Sequence, residues 1–290
     1  MKTISFFSEK GGVGKSSFTI MYASWLHYKY GVKVALADFN KRILAYRNAE
    51  IKTRNELCKA TPGLMPYDDR NAWPITDVNY TIIRMLKNEG DQSPYANWLE
   101  VECQKGKLKG FDVVICDFPG SLTGSEFIQV CGMRLLNLIV IPIEKDEMTI
   151  NATFDLHKIT KEFNHCVFIN KARTNFNNQR ATYRKFAEIL VEKGLPLLPD
   201  MVSNSDRMMS IDKVDNIRST FGFPDFDLPE FGPAKDLGVE NLFIDVTREL
   251  EKTKDLKGTG TADLSFVHSL KKKPDARQLK GTSYPEYEII

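Results

Sequence analysis

The chain has 290 residues with a formal net charge of +2, 42% hydrophobic and 27% charged, long enough for one large α/β domain with appendages. The near-balanced charge singles out no partner, and five scattered cysteines without a C-x-x-C pair argue against a disulfide framework or a zinc site. No N-terminal segment of signal type and no bilayer-length apolar run is found, so a cytoplasmic protein with no membrane partner is expected.

A short apolar strand containing Ile4, Phe6 and Phe7 leads into Lys10-Gly11-Gly12-Val13-Gly14-Lys15-Ser16-Ser17, which opens a long helix. Backbone N–H groups at a helix N-terminus form an anion site, because the dipole and the unpaired donors face the same way. Three glycines let the backbone close on phosphates. Lys15 is expected to reach the β- and γ-phosphates, with the Ser16 hydroxyl on Mg²⁺. The broad P-loop pattern wants glycine at position 9, which is Glu9. The tighter pattern of a lysine followed by Gly-Gly-x-Gly-Lys-Ser fits without a gap and resembles the deviant Walker A box of ParA/MinD (SIMIBI) ATPases. The resemblance implies a doubly wound, mostly parallel α/β sheet flanked by helices. It also implies that Lys10 crosses a dimer interface to the nucleotide of the other subunit, so that ATP closes a homodimer.

Downstream, Phe18, Met21, Tyr22, Trp25 and Leu26 recur at helical spacing and Gly31 stands at the C-cap position. Lys33 to Asp38 reads as a strand buried on both faces, and strand, helix and strand make one right-handed βαβ unit. Asp38 ends that strand, at the edge where open sheets place ligands. In the resembled family the strand ends Asp-x-Asp; the first carboxylate belongs to the Mg²⁺ shell and the second orients the attacking water. The second position is Asn40. An amide can still orient water, so slow hydrolysis is expected.

Residues 47–110 read as a variable segment punctuated by prolines, with its longest helical pattern at Tyr80 to Leu86 and with Trp73 and Trp98 as candidate core aromatics. Phe111 to Asp117, followed by Phe118-Pro119-Gly120, reads as a Walker B strand whose Asp117 binds Mg²⁺ through a water. The Asp-x-Pro-Gly-Ser run resembles the family's switch II, with Gly120 and Gly124 supplying freedom. Leu136 to Ile143 is a further buried strand, and Val167 to Lys171 a fifth. Asn170 matches a family asparagine that reads the adenine edge, which an amide's donor and acceptor suit. A strand-end turn cap is the competing reading.

Asn178 to Lys193 is predicted as an amphipathic helix with Tyr183, Phe186, Ile189 and Leu190 inward and with Arg180, Arg184 and Lys185 off that face. The last three are candidates for non-specific DNA contact, or simply a solvated face. Leu195 to Met201 reads as a short strand, and Ser203 to Arg207 as the family's nucleotide-side loop. An insertion follows at about 221–235, and Val239 to Leu250 is the last helix of a 1–250 ATPase domain. Residues 251–290 read as a mobile basic tail, with eight basic residues against three acids from Lys252 to Lys280.

The leading expectation is a ParA-like, ATP-dependent dimerising switch that positions DNA or another cargo with a ParB-like partner protein. The second is an ATP-locked scaffold that does not hydrolyse because of Asn40. A third, an electron-transfer reductase resembling nitrogenase iron protein, needs paired cluster cysteines, and Cys131 has no companion with the expected placement.

Overall fold

The computed structural model describes residues 1–40, 81–84, 108–120, 135–173, 177–203, 239–256 and 259–272, with single positions at 43, 56, 59, 122, 126, 127 and 131. Trp73, Trp98, Gly124, the 221–235 insertion, most of 47–110 and all of 273–290 lie outside the described residues.

Six parallel strands form one sheet in the order β3-β2-β4-β1-β5-β6. They are β1 (Lys2–Phe6), β2 (Val34–Asp38), β3 (Thr81–Arg84), β4 (Val113–Asp117), β5 (Leu138–Ile143) and β6 (His165–Ile169). The central strands are apolar almost throughout, because helices cover both faces of a parallel sheet and leave neither to water. On one face, Ile4, Phe6, Val113, Ile115 and Val140 pack under α1 (Lys15–Ser24) and α4 (Val239–Glu251). On the other, Val114, Cys116, Ile139 and Ile141 pack with Leu156 of α2 (Glu147–Thr160) and with Phe186 and Leu190 of α3 (Asn177–Glu192). The connection from β1 leads to one side of the sheet and that from β5 to the other, so the edge above these two neighbours is a topological switch point.

Helix α1 runs on into a π-helical turn, Trp25–Lys29. It stops where Gly31, at φ 66°, donates its N–H to the His27 carbonyl at 2.9 Å, a left-handed cap that glycine adopts without steric cost. Trp25 is fully buried among Tyr22, Tyr30, Phe243 and Phe266.

Four expectations are corrected. The helical pattern at Tyr80 to Leu86 yields a strand over Thr81–Arg84, paired in parallel with Ala35 to Asp38; a β-branched Thr-Ile-Ile run fits a pleated edge better than a helix. The strand expected at Leu195 to Met201 contributes only an isolated bridge, Val167 to Leu197, with a second just beyond it from Ala172 to Ser203. Ile189, expected inward, is 48% exposed; the apolar stripe of α3 narrows to Tyr183, Phe186 and Leu190. The tail is docked over its described residues, 251–256 and 259–272. Asp255 pairs with the N-terminal amine, Lys2 Nζ donates to the carbonyls of Glu251 and Thr253, and a 3-10 turn at Ser265–Ser269 buries Val267. Lys272 then bridges Asp200 and Asp245. Basic composition did not prevent docking because Leu264, Phe266, Val267 and Leu270 supply the apolar contact.

Candidate functional site

The loop between β1 and α1 bends at Gly12 (φ 77°) and Gly14 (φ 86°), backbone conformations that side chains rarely adopt. At Gly14, which caps α1, a Cβ would also meet the Phe18 ring at 3.2 Å. No side chain caps α1, and its first turn carries no acid, so the positive end of its dipole is not offset by a carboxylate of its own and suits an anion. Helix α2 contrasts with it: Asp146 accepts from Thr149 N at 3.0 Å.

Lys15 is nearly buried, and its Nζ donates to the carbonyls of Ser8 and Lys10 at 2.8 Å each. A Cβ at position 120 would stand 3.1 Å from that Nζ, a tight approach that a small shift of the lysine end would relieve. The Ser16 hydroxyl donates to Asp117 at 2.9 and 3.0 Å. Asp117 and Asp38 end adjacent strands with Cα positions in register, and both are fully buried. Burial pushes the Asp117 carboxyl up to about 7; the Ser16 hydrogen bond opposes this, the neighbouring Asp38 reinforces it, and the Asn40 side chain and Lys15 oppose it further.

That arrangement fits Mg²⁺. Two carboxylates and a hydroxyl are the hard oxygen donors the ion takes, and a carboxylate whose proton affinity is raised by burial and a like charge is short of a cation. Among the described residues no group of three or more His, Cys, Asp or Glu could hold a metal, so the remaining ligands would come from phosphate and water.

The other expected residues are also placed. Asn40 is half-buried with its side chain on Asp117. Lys10 Nζ is held within its own chain by Asp146 at 2.7 Å and Thr149 Oγ1 at 2.9 Å. Burial alone would raise the Asp146 carboxyl, but Lys10 and the Thr149 donors outweigh it and hold it at about 2. Asn170 is buried; its Nδ2 donates to the Val13 carbonyl at 2.9 Å and its Oδ1 accepts from Lys171 N at 2.9 Å. Any contact with a base edge is left to the second hydrogen and lone pair of that amide. Val13 is buried beneath the loop and Gly11 lies open on it.

Sequence reasoning missed Lys171, Glu144, Asp146 and Thr149. Lys171 Nζ reaches the Gly12 carbonyl at 2.9 Å and Glu144 at 2.8 Å. Asp-x-x-Thr at a helix start was a legible cap signal, whereas the reach of Lys171 across strands had none. Beside the loop lies a cavity of about 470 Å³ lined by Glu144, Asp146, Lys171, Arg173 and Tyr183 among others. Cys131 is buried, its thiol pushed up to about 12 by burial, which keeps it from the surface position an intersubunit cluster needs. No helix of the described residues is long and apolar enough to cross a membrane.

No protein-family model and no curated protein matches the chain. Solved structures do match. A candidate plasmid partition protein of Borrelia burgdorferi B31 bound to AMPPNP aligns at 17% identity and a TM-score of 0.54, over 84% of this chain and 99% of that one. MinD of Aquifex aeolicus, in a MinC:MinD complex, aligns at 18% and 0.51, over 90% and 100%. The ParA of pNOB8 bound to nonspecific DNA aligns at 16% and 0.51, over 86% and 98%. This chain shares their fold, that of the ParA/MinD-type P-loop ATPases.

Proposed function

We propose that the chain is a ParA-like, ATP-dependent dimerising switch ATPase that positions or segregates DNA or another macromolecular cargo and hydrolyses ATP slowly. The observation that carries this reading is the convergence of the glycine loop, Lys15, Ser16, Asp38 and Asp117 at one sheet edge, with a second lysine, Lys10, on the loop.

In this reading the N–H groups of residues 11 to 17 bind the phosphates of ATP, and Lys15 exchanges two loop carbonyls for phosphate oxygens. Ser16, Asp38 and Asp117 hold Mg²⁺, which when bound neutralises triphosphate charge. Asn40 orients water through its amide, and Asn170 adds an adenine contact. Lys10 leaves Asp146 and meets the nucleotide of a second copy. Fold neighbours bound to AMPPNP, to MinC and to nonspecific DNA support including nucleotide, a partner protein and DNA in the proposal, and in this reading the partner is ParB-like. A cytoplasmic, nucleoid-associated location accords with it.

Light scattering after size exclusion tests the switch. A dimer is expected in ATP and a monomer in ADP, with Lys10→Ala monomeric in both. A monomer in ATP, or a dimer retained by Lys10→Ala, overturns the reading. One observation favours a second reading, a hydrolysis-deficient ATP-locked scaffold that recruits a partner protein: the Asn40 side chain is engaged on Asp117 and carries no basic oxygen of its own. Under single-turnover conditions such a scaffold forms the dimer and leaves its ATP intact, with or without DNA.

A further inference from the structure

We propose that Lys171 is a positioning residue of the phosphate-binding loop, acting through the Gly12 carbonyl; the inference rests on the nucleotide-binding reading above. In a trans peptide the C=O and the following N–H lie in one plane and point opposite ways. A donor bound to the Gly12 oxygen therefore fixes where the Val13 N–H points, and one bound to the Val13 oxygen fixes the Gly14 N–H. Lys171 Nζ supplies the first at 2.9 Å and Asn170 Nδ2 the second at 2.9 Å. Both donors sit on the β6 side of the loop, so the two N–H groups are turned away from β6.

Such clamps are needed because of the glycines. Gly12 and Gly14, at φ 77° and 86°, give the loop its curvature, and the same freedom lets their peptide planes turn over and hide the donors. A cradle whose N–H groups are already aimed binds phosphate without ordering itself first.

The backbone of Lys171 points the same way. Among the described residues it alone, apart from glycines, has positive φ, at 52°. A β-carbon makes that conformation costly, and it persists where the surroundings over-determine it. The turn is pinned by Asn170 N to the Ile143 carbonyl at 2.7 Å and by Lys171 N to Asn170 Oδ1 at 2.9 Å. Glu144 Oε1 stands 2.8 Å from the same ammonium as an ion pair. A surface lysine with no role at the loop would gain nothing from this backbone.

The test titrates a fluorescent ATP analogue, MANT-ATP with Mg²⁺, against the full chain and four variants, with thermal midpoints measured alongside. Lys171→Met is expected to weaken binding about tenfold, the scale of one charge-assisted hydrogen bond. Lys171→Arg, which keeps a donor, should stay within about threefold of the original. Lys171→Gly separates positioning from packing, and serves if Lys171→Met does not fold: glycine is at ease at this φ, so its thermal midpoint should match or exceed the original while its affinity falls as in Lys171→Met. Affinity and stability moving together, or Lys171→Met and Lys171→Gly binding as tightly as the original, overturns the proposal. Lys15→Ala distinguishes its failure from that of the nucleotide reading. If the unsubstituted chain binds no MANT-ATP, both fall; if it binds and only Lys15→Ala loses binding, the role of Lys171 alone falls.

Discussion

Asn40 shows how one atom sets the charge balance of the site. Its amide can donate to Asp117, which already lies beside Asp38 in a fully buried position. An aspartate at position 40 would replace that donor with a third negative charge. Asn40→Asp is therefore expected to lower the thermal midpoint of the nucleotide-free chain, and Mg²⁺-ATP, which brings the missing cation, is expected to recover most of the loss. A midpoint unchanged by the substitution, or a loss that Mg²⁺-ATP does not recover, counts against placing the cation between these residues. Gly14 is fixed by its backbone φ and by a ring at 3.2 Å, whereas a Cβ at Gly120 would crowd only the ammonium of Lys15.

Among the elements, the segment from Lys252 to Lys272 departs furthest from its expected form. It closes across the N-terminal end of β1 and carries Phe266 onto Tyr30 and Trp25. Its last described residue, Lys272, joins Asp200 to Asp245 of α4, and Arg248 faces the same carboxylate at 3.6 Å. Burial raises the Asp245 carboxyl to about 6 against the pull of Lys272, with Asp200 adding to the rise. A carboxyl raised on folding gives stability that is complete below about pH 4 and is lost as pH rises through about 6. Lys272→Met removes the cation that offsets this loss. It should cost about 1–3 kcal/mol at about pH 8 and distinctly less at about pH 5, where a protonated Asp245 needs no partner. Urea denaturation at the two pH values measures the difference, and equal costs would show that Lys272 acts through packing alone.

For the whole molecule, the switch point between β1 and β5 places Lys10 against the start of α2, so the lysine assigned to a neighbouring nucleotide is already engaged at home. In the proposed switch, dimer formation would then compete with an intrachain ion pair. Asp146→Asn keeps the helix cap, since asparagine caps as well as aspartate, but gives up the charge. It should tighten the ATP-dependent dimer by up to about fivefold, the worth of a partly exposed ion pair. Dilution series by light scattering read this, and a weakened dimer would mean that Asp146 itself belongs to the interface.

The loop, the strands ending in Asp38 and Asp117, and helices α1 and α4 were legible in the sequence because their signals are local. Glycines, a lysine and a serine at fixed offsets carry the signature of a phosphate cradle, and uninterrupted apolar runs carry buried parallel strands. Short Thr81–Arg84 was misread because four residues hold too little periodicity to separate strand from helix, and the docking of 252–272 because its apolar residues are sparse and count only once a groove exists to receive them. The loop's supports were decided by the tertiary structure alone: Lys171 on Gly12, Asn170 on Val13 and Asp146 on Lys10 join residues more than a hundred positions apart. Local composition dictates which groups a chain carries. Which carbonyl a lysine meets depends on the order in which six strands lie side by side, and no window of sequence encodes that.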